Sequence, residues 1–152
     1  MSIFPVFQNK VLWIALSAWA IAQVMKVPLN YLRVREWDWS LLLRAGGMPS
    51  SHSALVAATA HGVGLFHGFE TPVFAVAVSF AVIVIYDATG VRRQAGKHAE
   101  RINAIIADLR SGRPHWHTME ENLKEVLGHT PLEAMWGTIL GVVMAQLGWW
   151  LG

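Results

Sequence analysis

Residues 45–88 read AGGMPSSHSALVAATAHGVGLFHGFETPVFAVAVSFAVIVIYDA, and the only charge before the last turn of this stretch is Glu70. A bilayer's hydrocarbon core takes about 20 mostly apolar residues per helical crossing. The stretch therefore has room for two crossings, divided at HGFETP (67–72). A soluble domain carries about a quarter charged residues. The whole chain of 152 residues carries 14% and is 54% hydrophobic, with a mean hydropathy of +0.39.

Working outward, the first of these two helices begins at Ser50 or Ser51 and runs to about His67. It is rich in small residues (Ala54, Ala57, Ala58, Ala60, Gly62, Gly64), which allow helices to approach closely in a bilayer. Thr71 caps the next helix, with Pro72 at its first position, and that helix runs to about Ala88. Upstream, an apolar helix is expected over roughly Lys10–Lys26, followed by a polar connection over 27–49 whose WDWSLLL dips into the interface. The beginning of the chain has no basic n-region and no A-x-A-type cleavage site, so this helix is read as retained and not as a signal peptide. Downstream, Ile102, Ile105, Ile106 and Leu109 recur at helical spacing with charges opposite, which predicts an interfacial amphipathic helix. HWHTMEENLKEVLG (115–128) predicts a shorter one. Thr130, Pro131 and Glu133 spell a capping box for a last crossing that ends at GWWLG.

The expected fold is all-α: a polytopic membrane helix bundle of about four transmembrane helices plus one or two interfacial helices, forming a single integral-membrane domain over 1–152. The chain has no cysteine, which excludes disulfides and thiolate chemistry. Eight tryptophans suit an interfacial aromatic belt.

Four crossings determine which helix ends share a side. Lys26, Ser50–His52, Asp87, Arg92, Arg93, Lys97 and His129 all fall on one face, although they are far apart in sequence. Of the 12 lysines and arginines, only Lys10 lies on the other face. The positive-inside rule then makes the shared face cytoplasmic and both termini extracytoplasmic. The expected location is a bacterial-type inner or plasma membrane.

That face carries the candidate chemistry. PSSH at a helix start offers backbone N–H groups and the positive end of the helix dipole to an anion, with His52 beside it to move a proton. The same stretch also reads as a plain turn and cap with an incidental histidine. Arg92, Arg93 and Lys97 match phosphate oxygens, or the basic flank that anchors a helix to lipid headgroups. Asp87 can pair with an arginine or orient a histidine. His129 and Glu133 lie one helical turn apart, so the carboxylate can hold the imidazole in the tautomer needed for attack. The capping box makes its own demand on Glu133, and one carboxylate is expected to serve one role at a time. His115 and His117 sit two apart, with no cysteine or carboxylate cluster to complete a metal set, so no metal site is read. His61 reads as a packed or interhelical hydrogen-bonding residue.

GGMPSSHSA, DATGVRRQAGK and LGHTPLE, taken in order, resemble the divergent branch of the type 2 phosphatidic acid phosphatase and vanadium haloperoxidase superfamily, over roughly residues 11–150. The superfamily's first motif is a lysine, six residues, then Arg-Pro. Here Lys26 and Arg33 fit it, followed by Val34. The second is Pro-Ser-Gly-His, met by Pro49, Ser50, Ser51 and His52 with serine in place of glycine. The third ends in a nucleophilic histidine and, four residues on, an aspartate; His129 and Glu133 match that half, while Leu123 stands where its arginine belongs. A rival frame uses Arg92 and His98, with Ile102 at the position of the acid; His129 is preferred because its carboxylate is present.

The resemblance implies a lipid phosphate phosphatase that works without metal or other cofactor. His129 would be the nucleophile, His52 the acid and Glu133 the orienting group. Lys26, Ser50, Ser51, Arg92, Arg93 and Lys97 would hold the phosphate. The expected partners are a membrane-lipid substrate and anionic lipid headgroups, with no nucleic acid and with self-association left open. A cytoplasmic face favours phosphatidylglycerophosphate or phosphatidic acid over a polyprenyl diphosphate. The alternatives are a non-catalytic protein that binds anionic lipid or a partner, and a haloperoxidase-like vanadate site.

Overall fold

A computed structural model describes residues 4–43, 46–112 and 128–152, and these are helical apart from short turns and loops. A short 3-10 helix at Phe4–Gln8 precedes α1 (Lys10–Val34), and another at Trp39–Leu42 follows it. Then come α2 (Ser51–His67), α3 (Pro72–Thr89), α4 (Val91–Gly112) and α5 (Pro131–Leu151). The shorter amphipathic helix expected over 115–128 lies outside the described residues except at its last position.

The helix starts follow from local chemistry. Asn9, Ser50, Thr71 and Thr130 each turn a side-chain oxygen onto a backbone N–H of the first turn, satisfying donors that no intrahelical carbonyl can reach. The end of α1 departs from expectation. The helix does not stop at Lys26 but continues through Pro28 to Val34 and closes with Arg35 in a left-handed conformation, its N–H bonded to the Tyr31 carbonyl. Pro28 removes one ladder bond, to the residue four back, but its φ is helical. The extra turns are held by the segment that follows them: the Asn30 amide donates to the Glu36 carbonyl at 3.2 Å, and the Tyr31 ring stacks on Trp37 at 4.6 Å.

Among the described residues, three helical runs are long and apolar enough to cross a membrane: Lys10–Val34, Pro72–Ala107 and Pro131–Leu151. In the second run α3 passes into α4 at Gly90. α2, with 17 residues, is the shorter, enclosed helix, about 25 Å long at 1.5 Å per residue. It packs against α1, α3 and α5, whereas α4 packs chiefly on α3.

The interior is built from small side chains. Ala15, Ala18 and Ala22 of α1 meet Ala54 and Ala58 of α2, and Val56 and Ala60 of α2 meet Ala81 of α3. A Cβ at Gly137 would collide with the Ser50 carbonyl oxygen, and one at Gly141 with that of Ala54. Glycine at these two places lets α5 lie directly on the backbone of α2. The large apolar side chains, among them Phe80, Ile83, Trp136 and Trp150, point outward. Between lipid-embedded helices the hydrophobic effect supplies no drive, and close packing of small residues does. Small inside and large outside is the arrangement a bilayer favours.

α5 runs parallel to α2, because Gly137 meets Ser50 and Gly141 meets Ala54. α1 runs antiparallel to α2, with Gly62 against Val11 near one end and Lys26 against Ser51 near the other. The Lys10 ammonium donates to the Gly152 carbonyl at the end away from Lys26. His61 of α2 and Gln146 of α5 join across that half of the bundle at 3.2 Å, the interhelical hydrogen bond expected of this histidine.

Candidate functional site

Two backbone hydrogen bonds draw the other end together. The Ser50 N–H donates to the Glu133 carbonyl at 3.0 Å, tying the start of α2 to the first turn of α5. The His129 N–H donates to the Ala88 carbonyl at 2.9 Å, tying the segment before α5 to the last turn of α3. Gly46 (φ 97°) and Gly47 (φ 83°) carry the chain into α2 through left-handed conformations that favour glycine. The N-termini of α2 and α5 therefore lie side by side, and their backbone N–H groups and dipoles make this end of the bundle attractive to an anion.

The serines divide the work. Ser50 caps α2: its Oγ accepts from the Ser53 N–H at 3.3 Å and from the Ser53 hydroxyl at 3.0 Å. Ser51 instead turns its Oγ to the Lys26 ammonium, at 3.5 Å. Lys26 is only 2% exposed, and its ammonium donates also to Gln23 Oε1 at 2.8 Å. An ammonium has three N–H donors. Gln23 and Ser51 are its hydrogen-bond acceptors among the described residues.

His129 is buried, 4% exposed. Its Nδ1 lies 3.2 Å from Glu133 Oε2, and the same oxygen accepts the Thr130 N–H at 3.0 Å. The Glu133 N–H returns a bond to Thr130 Oγ1 at 3.2 Å, completing the capping box. Glu133 thus serves the cap and the histidine at once, against the expectation of one role at a time. A carboxylate oxygen has two lone pairs, and the two donors take one each. Because the carboxylate only accepts, Nδ1 carries the proton and Nε2 the lone pair. The His52 ring, exposed on the first turn of α2, stands 6.4 Å centroid to centroid from His129 and is tilted by 54°.

Beside this pair is a cavity of about 230 Å³. α1 supplies Lys26, Leu29, Asn30 and Arg33 to its wall, the loop supplies Leu41, Gly47 and Met48, and α5 supplies Glu133. Lys26, Ser51, His52, His129 and Glu133 are thus brought together, with Arg33 on the cavity that Lys26 and Glu133 line. Asp87 is half-buried in the last turn of α3, next to the Ala88 that holds His129. Arg92 and Arg93 fall in the first turn of α4, their side chains outside the described residues. Lys97 and His98 are exposed further along α4. His115, His117, Leu123 and Lys124 lie outside the described residues, and among those described no three His, Asp or Glu side chains gather as a metal-binding group. Gln23 and Asn30 were not singled out in the sequence. The signal for Gln23 was present: a polar residue in an apolar helix, three positions before Lys26.

Comparison with known proteins identifies relatives of the chain. Residues 7–144 match the model of a family described as the Divergent PAP2 family. The chain is also similar to a Bacillus subtilis (strain 168) protein named uncharacterized membrane protein YuiD, with 43% identity over 138 residues, 86% of this chain and 87% of the relative. No solved structure matches it.

Proposed function

Since the chain belongs to the Divergent PAP2 family, we propose that it is an integral-membrane phosphatase that hydrolyses a phosphomonoester of a membrane lipid. The observation that carries this reading is the buried His129 with Nδ1 on Glu133 and the His52 ring 6.4 Å away. A histidine held in that tautomer presents a lone pair on Nε2, and a second histidine across a gap can exchange a proton with whatever sits between them.

The reaction has two displacements. Lys26, Arg33, the hydroxyl of Ser51 and the N-terminus of α2 hold the phosphoryl oxygens, with Ser50 shaping that helix start. Arg92, Arg93 and Lys97 supply further positive charge from α4, and Asp87 steadies the segment that carries His129. In the first step the Nε2 lone pair of His129 attacks phosphorus, and the bond from phosphorus to the ester oxygen breaks. Protonated His52 gives its proton to the departing alkoxide, releasing the lipid alcohol. The imidazolium formed at His129 is stabilised by Glu133 through Nδ1–H. In the second step neutral His52 takes a proton from water as the water oxygen attacks phosphorus. The P–N bond breaks, inorganic phosphate leaves, and His129 is restored.

The location of the chemistry at helix ends supports a lipid substrate, since the phosphate can be held at the membrane surface while the chains stay in the bilayer. The bias of lysine and arginine toward this face supports a cytoplasmic orientation, and with it phosphatidylglycerophosphate or phosphatidic acid. The test is phosphate release by the detergent-purified full chain from these two lipids and a polyprenyl diphosphate, with and without chelator. The expected result is chelator-insensitive release from a phospholipid monoester, lost in His129→Ala. Absence of release from every substrate would contradict the enzyme reading, and chelator-sensitive release would contradict the metal-independent one.

A further inference from the structure

Gln23 stands inside the apolar run of α1, and both ends of its amide are engaged. Oε1 accepts from the Lys26 ammonium at 2.8 Å. Nε2 donates to the Leu41 carbonyl at 3.2 Å and to the Leu42 carbonyl at 2.8 Å, in the 3-10 helix that follows α1. Lys26 and Leu41 both line the 230 Å³ cavity. We propose that Gln23 is the positioning residue of this cavity, one amide that fixes both the ammonium facing a lipid-borne phosphomonoester and the Leu41 wall that bounds it. The inference rests on reading the cavity as the place where the phosphomonoester binds.

The amide has one workable orientation. Backbone carbonyls only accept and an ammonium only donates. A flipped amide would set oxygen against two carbonyls and NH₂ against NH₃⁺. Lysine's four-carbon stem is otherwise flexible, and its ammonium is a point charge without the fixed fork of arginine. Holding that charge in place before the ligand arrives is preorganisation, which strengthens electrostatic recognition. The same bonds satisfy two partly buried carbonyls that fold back on a membrane helix. A cavity of 230 Å³ corresponds to about seven or eight water molecules at ~30 Å³ each. That accommodates a phosphate and the first atoms of its alcohol, with acyl chains left outside.

The chain has no cysteine, so Leu41→Cys creates a single thiol on the cavity wall. Two readouts on the full chain in detergent are needed. One is the affinity for inorganic phosphate and for a dioctanoyl lipid phosphate in wild type, Gln23→Leu, Gln23→Glu and Lys26→Met. The other is the rate of maleimide labelling at Leu41→Cys, with and without phosphate, in wild-type and Gln23-substituted backgrounds. Gln23→Glu keeps the shape of the side chain and an acceptor for Lys26, and so covers the case in which Gln23→Leu does not fold.

The lipid phosphate is expected to compete at lower concentration than inorganic phosphate. Lys26→Met abolishes binding, and either Gln23 substitution weakens it by about ten- to a hundredfold, the scale of one hydrogen bond to a charged group. Labelling at Leu41→Cys accelerates in the Gln23 backgrounds and no longer slows when phosphate is added. If Lys26→Met abolishes binding while the Gln23 variants bind and label as wild type does, the positioning role is overturned and the cavity reading stands. If wild type binds no phosphate, or Lys26→Met binds as well as wild type, the cavity reading falls and takes the inference with it. Equal competition by the two phosphates would overturn the lipid-borne ligand class.

Discussion

Glu133 Oε2 lies 3.2 Å from His129 Nδ1, and the same oxygen accepts the Thr130 N–H that starts α5. The group that orients the candidate nucleophile is therefore also a helix cap. His129 is fixed as well through its backbone, by the bond to Ala88 at the end of α3. Its position is set by α3 and α5 together, and the helix starts bring it to His52 on α2.

The double role of Glu133 separates two substitutions. Glu133→Gln keeps a side-chain oxygen for the cap, since glutamine serves in capping boxes, but removes the charge that balances the imidazolium. Activity is expected to fall by about 10²–10⁴-fold, by analogy with orienting carboxylates of catalytic triads, with little change in thermal stability. Glu133→Ala removes both functions and should also lower the melting temperature. Equal activity in Glu133→Gln and wild type would detach Glu133 from the chemistry.

Gly137 is where α5 touches the start of α2. Gly137→Ala puts a methyl group against the Ser50 carbonyl, and backbone cannot turn aside. A loss of about 1–3 kcal/mol is expected, in the range of overpacked cores, along with activity, because the displaced turn carries Ser51 and His52. The atoms nearest a methyl group at Gly148 belong to the side chain of Ile14, so Gly148→Ala should be milder on both measures. A reversal of this order in unfolding and phosphate-release assays would count against the close α2–α5 contact.

The His61–Gln146 bond lies in the half of the bundle away from His129. His61→Ala should cost about 0.6–1.7 kcal/mol, the range for interhelical hydrogen bonds in membranes, and leave kcat unchanged. A large fall in kcat at unchanged stability would instead give His61 a part in the reaction.

Orientation can be read from single cysteines, because the chain has none of its own. Leu43 is 94% exposed near the site end, and Phe69 is exposed at the turn between α2 and α3 on the other. In intact cells a membrane-impermeant maleimide should label Phe69→Cys and spare Leu43→Cys until the membrane is opened. The opposite pattern would place the site outside the cytoplasm.

The parts legible in the sequence were those with local causes. Ser50, Thr71 and Thr130 cap helices because a hydroxyl next to a free N–H does so wherever it occurs, and the small residues of α2 mark it as a packed helix. The end of α1 was not legible. Pro28 and the polar residues after it read as a connection, and the contacts that keep them helical come from Glu36 and Trp37 in the loop beyond them. Arg33 entered only through the resemblance, because a cavity exists only once α1, the loop and α5 are assembled. Gln23 showed as polar, but the carbonyls it holds belong to a loop whose return path is a tertiary property. The pairing of His129 with Glu133 could be read at one helical turn. That one oxygen would serve both histidine and cap depends on the placement of His129 by Ala88.

The proposed mechanism requires that His129 become covalently phosphorylated. The direct measurement is a rapid-quench reaction of purified protein with a ³²P-labelled lipid phosphate, followed by localisation of the label. The expected result is an alkali-stable, acid-labile phosphohistidine on His129 that forms before free phosphate appears, is absent in His129→Ala and decays slowly in His52→Ala. Phosphate release without any protein-bound label, persisting in His129→Ala, would contradict it.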